Sequence, residues 1–155
     1  MSAFTDNEIA YLGEQRLGRI ATQQPDGTLQ NSPVGFAFNA ATDTIDVSGH
    51  NMSTSRKFKN VADNGRVAFV VDDLAPGGGW RPRFLEVRGW AEAITEAEVP
   101  SAHPIVAGPF IRIHPTRILA FGLDAPDASA TQLNGMPFHA RNVDTSTPKK
   151  ANRTP

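Results

Sequence analysis

The chain has 155 residues, with 15 Lys and Arg against 16 Asp and Glu, four histidines and no cysteine. That length suits one domain with a substantial core, and a net charge of -1 draws it toward neither nucleic acid nor an anionic membrane, so basic clusters have to be read locally. The lack of cysteine excludes disulfides, thiolate zinc sites and a cysteine nucleophile, and without a signal-like start or a long apolar run the protein is expected to be cytoplasmic.

Thr5 and Glu8 make a capping-box pattern, and Ile9, Tyr11 and Leu12 form a stripe before Gly13, which predicts a helix over 6–15. A strand follows over 17–22. Pro25-Asp26-Gly27 is a turn signal, a second strand runs through 33–38, residues 39–43 turn again, and 44–48 alternate as a half-buried strand does. Phe58 and Val61 lie three apart among Arg56, Lys57, Lys59 and Asn60, so a short helix within 53–63 crosses the sheet. Residues 66–71 read as an apolar strand ending in Asp72-Asp73, and 83–94 as another. Residues 95–109 match neither period and suggest a turn or short helix. The stretch 111–121 closes the β pattern, with Pro115 marking an edge or bulge at its middle. Beyond Gly122 the composition turns to Asp, Pro, Ser, Thr and Lys. One domain over 1–142 and a disordered tail over 143–155 are therefore expected. Six or so short strands with a helical crossover predict a small antiparallel barrel.

Familiar catalytic signatures are missing. There is no HExxH spacing among His50, His103, His114 and His139, no G-x-S-x-G elbow, no Walker loop and no G-x-G-x-x-G. Two histidines, His103 and His114, precede prolines, which favours extended backbone and a structural role. Asp72 and Asp73 are adjacent on a strand, so their side chains face opposite ways; a cap or turn role suits them better than paired acid/base work.

Two corners carry chemistry suited to an anion. In Gly78-Gly79-Trp80-Arg81-Pro82-Arg83, a loop runs into a strand and brings two guanidinium groups beside an indole. Arg grips phosphate or carboxylate bidentately, and Trp offers a face for stacking. The plainer alternative is a solvated loop with an anchoring Trp, with Arg83 paired to Glu86 or Asp73. In His50-Asn51-Met52-Ser53-Thr54-Ser55-Arg56-Lys57, free backbone N–H groups, hydroxyls and cations meet between a strand end and a helix start. There the alternative is that Ser53 or Thr54 caps the helix and the cations are solvated. One long anionic ligand could touch both corners.

The order of these pieces resembles the pyridoxamine 5'-phosphate oxidase-like split β-barrel flavoproteins, and more narrowly their actinobacterial F420-dependent branch. The resemblance is carried by Gly18-Arg19-Ile20-Ala21-Thr22, Pro25-Asp26-Gly27, Pro33-Val34-Gly35-Phe36, Gly49-His50-Asn51, Lys57-Phe58-Lys59-Asn60-Val61, the run 66–73, and Trp80-Arg81-Pro82-Arg83 leading into Glu86-Val87-Arg88-Gly89. It covers about residues 10–122. It implies a mainly β split barrel with short helices, forming a homodimer with a cofactor groove between the subunits. By that resemblance Ser32, Pro33 and Val34 pass the ring system, and His50, Asn51, Ser55, Arg56 and Lys57 surround the phosphate. Trp80, Arg81 and Arg83 come from the partner subunit. One departure is that relatives often carry a second cation two residues before the lysine, where this chain has Ser55. The implied activity is hydride transfer between reduced F420 and a small electron-poor substrate. The alternatives are an FMN-dependent oxidase or reductase on the same barrel and a non-catalytic flavin- or haem-type binder.

Overall fold

In the computed structural model, which describes residues 1–95, 108–124, 131–133 and 136–144, the expected capping box opens α1 (Asp6–Glu14). Thr5 Oγ1 accepts from the Glu8 amide at 3.2 Å, and the Glu8 carboxylate accepts from the Thr5 amide at 2.9 Å. Glu8 is buried because the same carboxylate receives Arg141, at 2.8 and 2.5 Å, so the helix start is tied to the far end of the described chain.

Among the described residues eight antiparallel strands follow: β1 (Leu17–Gln23), β2 (Leu29–Asn39), β3 (Thr44–Ser48), β4 (Arg66–Leu74), β5 (Pro82–Ile94), β6 (Phe110–Phe121), β7 (Thr131–Leu133) and β8 (Met136–Asn142). Their order is β3-β2-β1-β4-β5-β6-β8-β7, and a β3–β6 pairing closes the first six into a barrel. β6 pairs with β3 through Ile111–Ile113 and with β8 through Arg117–Phe121, so the sheet parts company at this strand. The barrel is filled by alternating residues such as Ile20, Val47, Phe69, Val71, Leu85, Val87, Ile111 and Ile118, all essentially inaccessible. It is the mainly β split barrel that the sequence resemblance implied.

Several expectations need correction. β2 starts at Leu29, earlier than its apolar run, because the turn at Pro25–Gly27 pairs Gln23 directly with Leu29. β3 is buried at every position instead of alternately. Phe4 packs edge-on against Phe38 at 5.4 Å on the core-facing side shared with Ile45 and Val47, and on the opposite, outward face Asp46 takes Arg112 at 2.8 and 3.0 Å and Asn39 at 3.0 Å. Asp72 and Asp73 neither cap nor turn; each lies in β4 and pairs with an arginine, Arg19 and Arg83 respectively. The strands β7 and β8 were not anticipated. The segment expected over 95–109 falls largely outside the described residues, as does the tail from 145; of the remainder, Val143 packs against the core.

The crossover is a single 3₁₀ turn (Met52–Thr54) followed by α2 (Arg56–Asn64), a shorter α-helix than the predicted window. Phe58 and Val61 are buried as predicted. Asn60 donates to Thr22 Oγ1 at 3.0 Å, Asn64 to the Gln23 carbonyl at 2.7 Å, and the Ala91 amide donates to the Gly65 carbonyl at 2.8 Å. These bonds fix α2 across the barrel end where β1 finishes. Pro115 remains within β6, but the β5–β6 register shifts at Arg88/Gly89, opposite it, which is the expected bulge. A Cβ at Gly89 would lie 2.0 Å from the His114 carbonyl oxygen, so the close approach of the two strands there depends on glycine.

Candidate functional site

β3 ends at Ser48, opposite Gly35, and the chain leaves the ladder through Gly49, His50 and Asn51. His50 and Asn51 are exposed, and Asn51 adopts a left-handed backbone (φ 50°) as the chain turns into the 3₁₀ segment. The cap of α2 is Ser55, not Ser53 or Thr54: its hydroxyl accepts from the Phe58 amide at 3.3 Å and donates to the Met52 carbonyl at 2.7 Å. Arg56 is exposed and Lys57 half-buried, and neither forms an ion pair among the described residues. A capped helix start with two uncommitted cations has the positive potential and the donors that an anion needs. Ser55 therefore shapes this corner, with its hydroxyl already engaged in the helix.

On β2, Val34 is buried, Pro33 is exposed opposite Arg19, and Ser32 lies opposite Ile20. Ser32 Oγ is buried without a hydrogen-bond partner, and so are Gln30 Oε1 and Asn60 Oδ1. Buried polar atoms are ordinarily paired, so three unpaired ones where β2 and α2 approach β1 fit a neighbourhood that receives a polar group. Gln30 and Asn60 were not singled out from the sequence, because their pairing with and beside Thr22 depends on strand register and on the helix crossing.

The other corner is the β4–β5 loop. Its base is closed by the Ala75 amide donating to the Arg81 carbonyl at 2.9 Å, and its tip consists of Gly77, Gly78 and Gly79, all with positive φ. Such a run is open to glycine alone at low cost. Trp80 is 80% exposed and anchors nothing among the described residues. Arg81 is exposed, its guanidinium donating to the Pro76 carbonyl within the same loop. Arg83 is differently committed: Nε and Nη2 donate to Asp73 Oδ1 and Oδ2 at 2.9 and 2.6 Å, the structural pairing weighed above. Gln15 Nε2 and the Tyr11 hydroxyl donate to the same carboxylate at 2.9 and 3.1 Å. Arg83 holds the Asp73 carboxyl below the usual range, Gln15 and Tyr11 adding to the effect against desolvation; burial, then Asp73, pushes the Tyr11 hydroxyl up.

The C-terminal end of α2 meets β5 at Ala91, whereas the 75–81 loop ends at Pro82, nine residues along the same strand, or roughly 30 Å at the rise of a β-strand. Between these ends, the outer face of β2-β1-β4-β5 carries a shallow concavity of about 240 Å³ lined by Arg19, Ala21, Asn31, Ala68, Val70 and Glu86. None of the residues implied by the resemblance lines it; Pro33 is the cross-strand neighbour of Arg19 at its side. No group of three or more His, Cys, Asp or Glu suited to a metal occurs among the described residues.

The sequence profile of the pyridoxamine 5'-phosphate oxidase family matches residues 4–118, most of the chain and all of the first five strands. The chain belongs to this family. A 5a,11a-dehydrotetracycline/5a,11a-dehydrooxytetracycline reductase of Streptomyces rimosus is 41% identical over 140 residues, 90% of this chain and 93% of that protein. With such a relative, the chain is at the coarse level an oxidoreductase of the family. Solved structures agree on the fold. A FAD-binding protein from Mycobacterium smegmatis superposes with a TM-score of 0.56 at 23% identity, covering 76% of this chain and 94% of the other. A conserved hypothetical protein from Mycobacterium tuberculosis gives a TM-score of 0.57 at 21% identity, covering 76% and 84%.

Proposed function

We propose that this protein is a reductase that uses F420 to reduce an electron-poor, polycyclic organic substrate. The observation that carries the reading is the near-full-length relationship to a reductase whose substrate is a dehydro form of tetracycline. An activated carbon–carbon double bond is the corresponding substrate class for this chain. The chemistry that F420 supplies when bound is hydride donation to such a carbon.

The protein's own residues fit the cofactor's parts. Arg56 and Lys57 at the start of α2, without an ion pair among the described residues, neutralise the phosphate, with His50 and Asn51 at the preceding turn. Ser32, with its unpaired hydroxyl, and the backbone of Pro33 and Val34 line the path of the ring system. Trp80 offers a stacking face, and Arg81 a cation for the anionic glutamyl tail that distinguishes F420 from FMN. By the family resemblance the working unit is a homodimer in which one subunit supplies Trp80 and Arg81 to the cofactor held at Arg56 and Lys57 of the other. The open outer sheet face, with Leu17, Pro33 and Val70 around the concavity, is the surface such a partner would cover. The protein orients and neutralises the cofactor and excludes water, and no side chain is assigned as acid or base.

Titration calorimetry with the two cofactors tests this. Tighter binding of F420 than FMN supports the reading. Preferential binding of FMN moves the protein to an FMN-dependent reaction, and binding of F420 without turnover of any reducible substrate makes it a carrier.

A further inference from the structure

The resemblance gives Arg83 the same role as Arg81, contact with the cofactor, but the two arginines have different surroundings. Asp73 is the acceptor of four donors: Tyr11 on α1, Gln15 at its C-terminal cap, and two nitrogens of Arg83 on β5. The third guanidinium nitrogen, Nη1, faces Glu14 at 3.7 Å. The guanidinium also lies over the Tyr11 ring, 4.9 Å from its centre, and the Tyr11 hydroxyl reaches the Arg83 carbonyl at 3.4 Å. All three nitrogens thus face inward toward α1 and β4. A grip on an external phosphate or carboxylate would strip Asp73 of its bidentate partner, whereas Arg81 gives up only a contact to its own loop.

Asp73 and Arg83 are also register partners, one pair below Leu74 and Pro82, which close the strands under the loop. Tying this rung to α1 fixes where the loop leaves the barrel. We propose that Arg83 is a positioning residue: with Asp73, Tyr11 and Gln15 it latches α1 to the base of the 75–81 loop and thereby holds Trp80 and Arg81 in place. Arg81 is the ligand-facing cation of the corner. The last statement rests on the proposed cofactor site; the latch itself does not.

Hydrogen exchange on the cofactor-free protein tests the latch, read at the Ala75 amide that closes the loop. Arg83→Gln, Arg83→Lys and Asp73→Asn should each speed exchange at Ala75 at least tenfold while the α2 amides exchange as in the parent. Lysine should not rescue, since it keeps the charge but cannot form the fork. The double variant Asp73→Asn/Arg83→Gln should go no further than either single variant. Arg81→Gln should leave Ala75 exchange unchanged and weaken F420 binding at least tenfold. Unchanged Ala75 exchange in Arg83→Gln overturns the latch. So does Arg83→Lys keeping parental F420 affinity while Arg83→Gln loses it, the pattern of a direct charge contact. If the parent binds no F420, the cofactor reading fails and the exchange measurements still decide the latch.

Discussion

At the scale of single residues, Lys57 and Lys59 separate a phosphate site from a general positive field. Lys57 is half-buried at the start of α2, and Lys59 is exposed two positions on, facing another side of the helix. Lys57→Ala should weaken cofactor binding by about 1.5–3 kcal/mol, on the order of ten- to a hundredfold, and Lys59→Ala should bind almost normally, both with stability nearly unchanged. Equal losses in a binding titration would mean diffuse electrostatics. Tyr11, the chain's single tyrosine, gives a second residue-scale measurement. Its folded pKa is raised by burial first and by Asp73 next, with Asp72 adding and Arg83 opposing. A phenol raised above its ordinary value of about 10 contributes stability that is complete below that pH and is lost as pH rises past it. Phenolate absorbance should therefore appear above the ordinary range and together with alkaline unfolding, and Asp73→Asn should move it down. Ionisation near 10 with the fold intact would contradict the buried contact. For Asp73 the sign is opposite: its lowered pKa stabilises above the ordinary carboxylate range and is lost as pH falls through and below it.

At the scale of elements, what was legible in the sequence was what short segments decide. The Thr5–Glu8 box, the Pro25–Gly27 turn and the Phe58/Val61 stripe are local, and each element formed where its local signal stood. What depended on distant partners was not legible. β8 exists by pairing with β6, and its Arg141 meets Glu8 from 133 positions away. Arg83 could be read as ligand or as bridge until the hairpin register set it against Asp73. The outward face of β3 shows the same limit, because Asp46 reads as solvent-facing until Arg112 arrives from β6. Both members of that pair are buried, so Asp46→Ala should destabilise by about 3–5 kcal/mol in chemical denaturation, since it leaves a buried guanidinium on the outward face of the sheet without this carboxylate. A loss below about 1 kcal/mol, the range of exposed ion pairs, would contradict the closure of β3 on β6.

At the scale of the whole molecule, the fold and the family were legible from an ordered set of individually weak pieces, and a homodimer is the proposed assembly. Light scattering at micromolar concentration should give a dimer, and a clean monomer that still binds cofactor would remove the shared groove. The proposed reduction by F420 is tested most directly by mixing the protein anaerobically with reduced F420 and a dehydrotetracycline-type compound. Oxidation of the cofactor in step with loss of the substrate's double bond, abolished without protein and slow with reduced FMN, is the predicted result; turnover with reduced FMN and none with reduced F420 would contradict it.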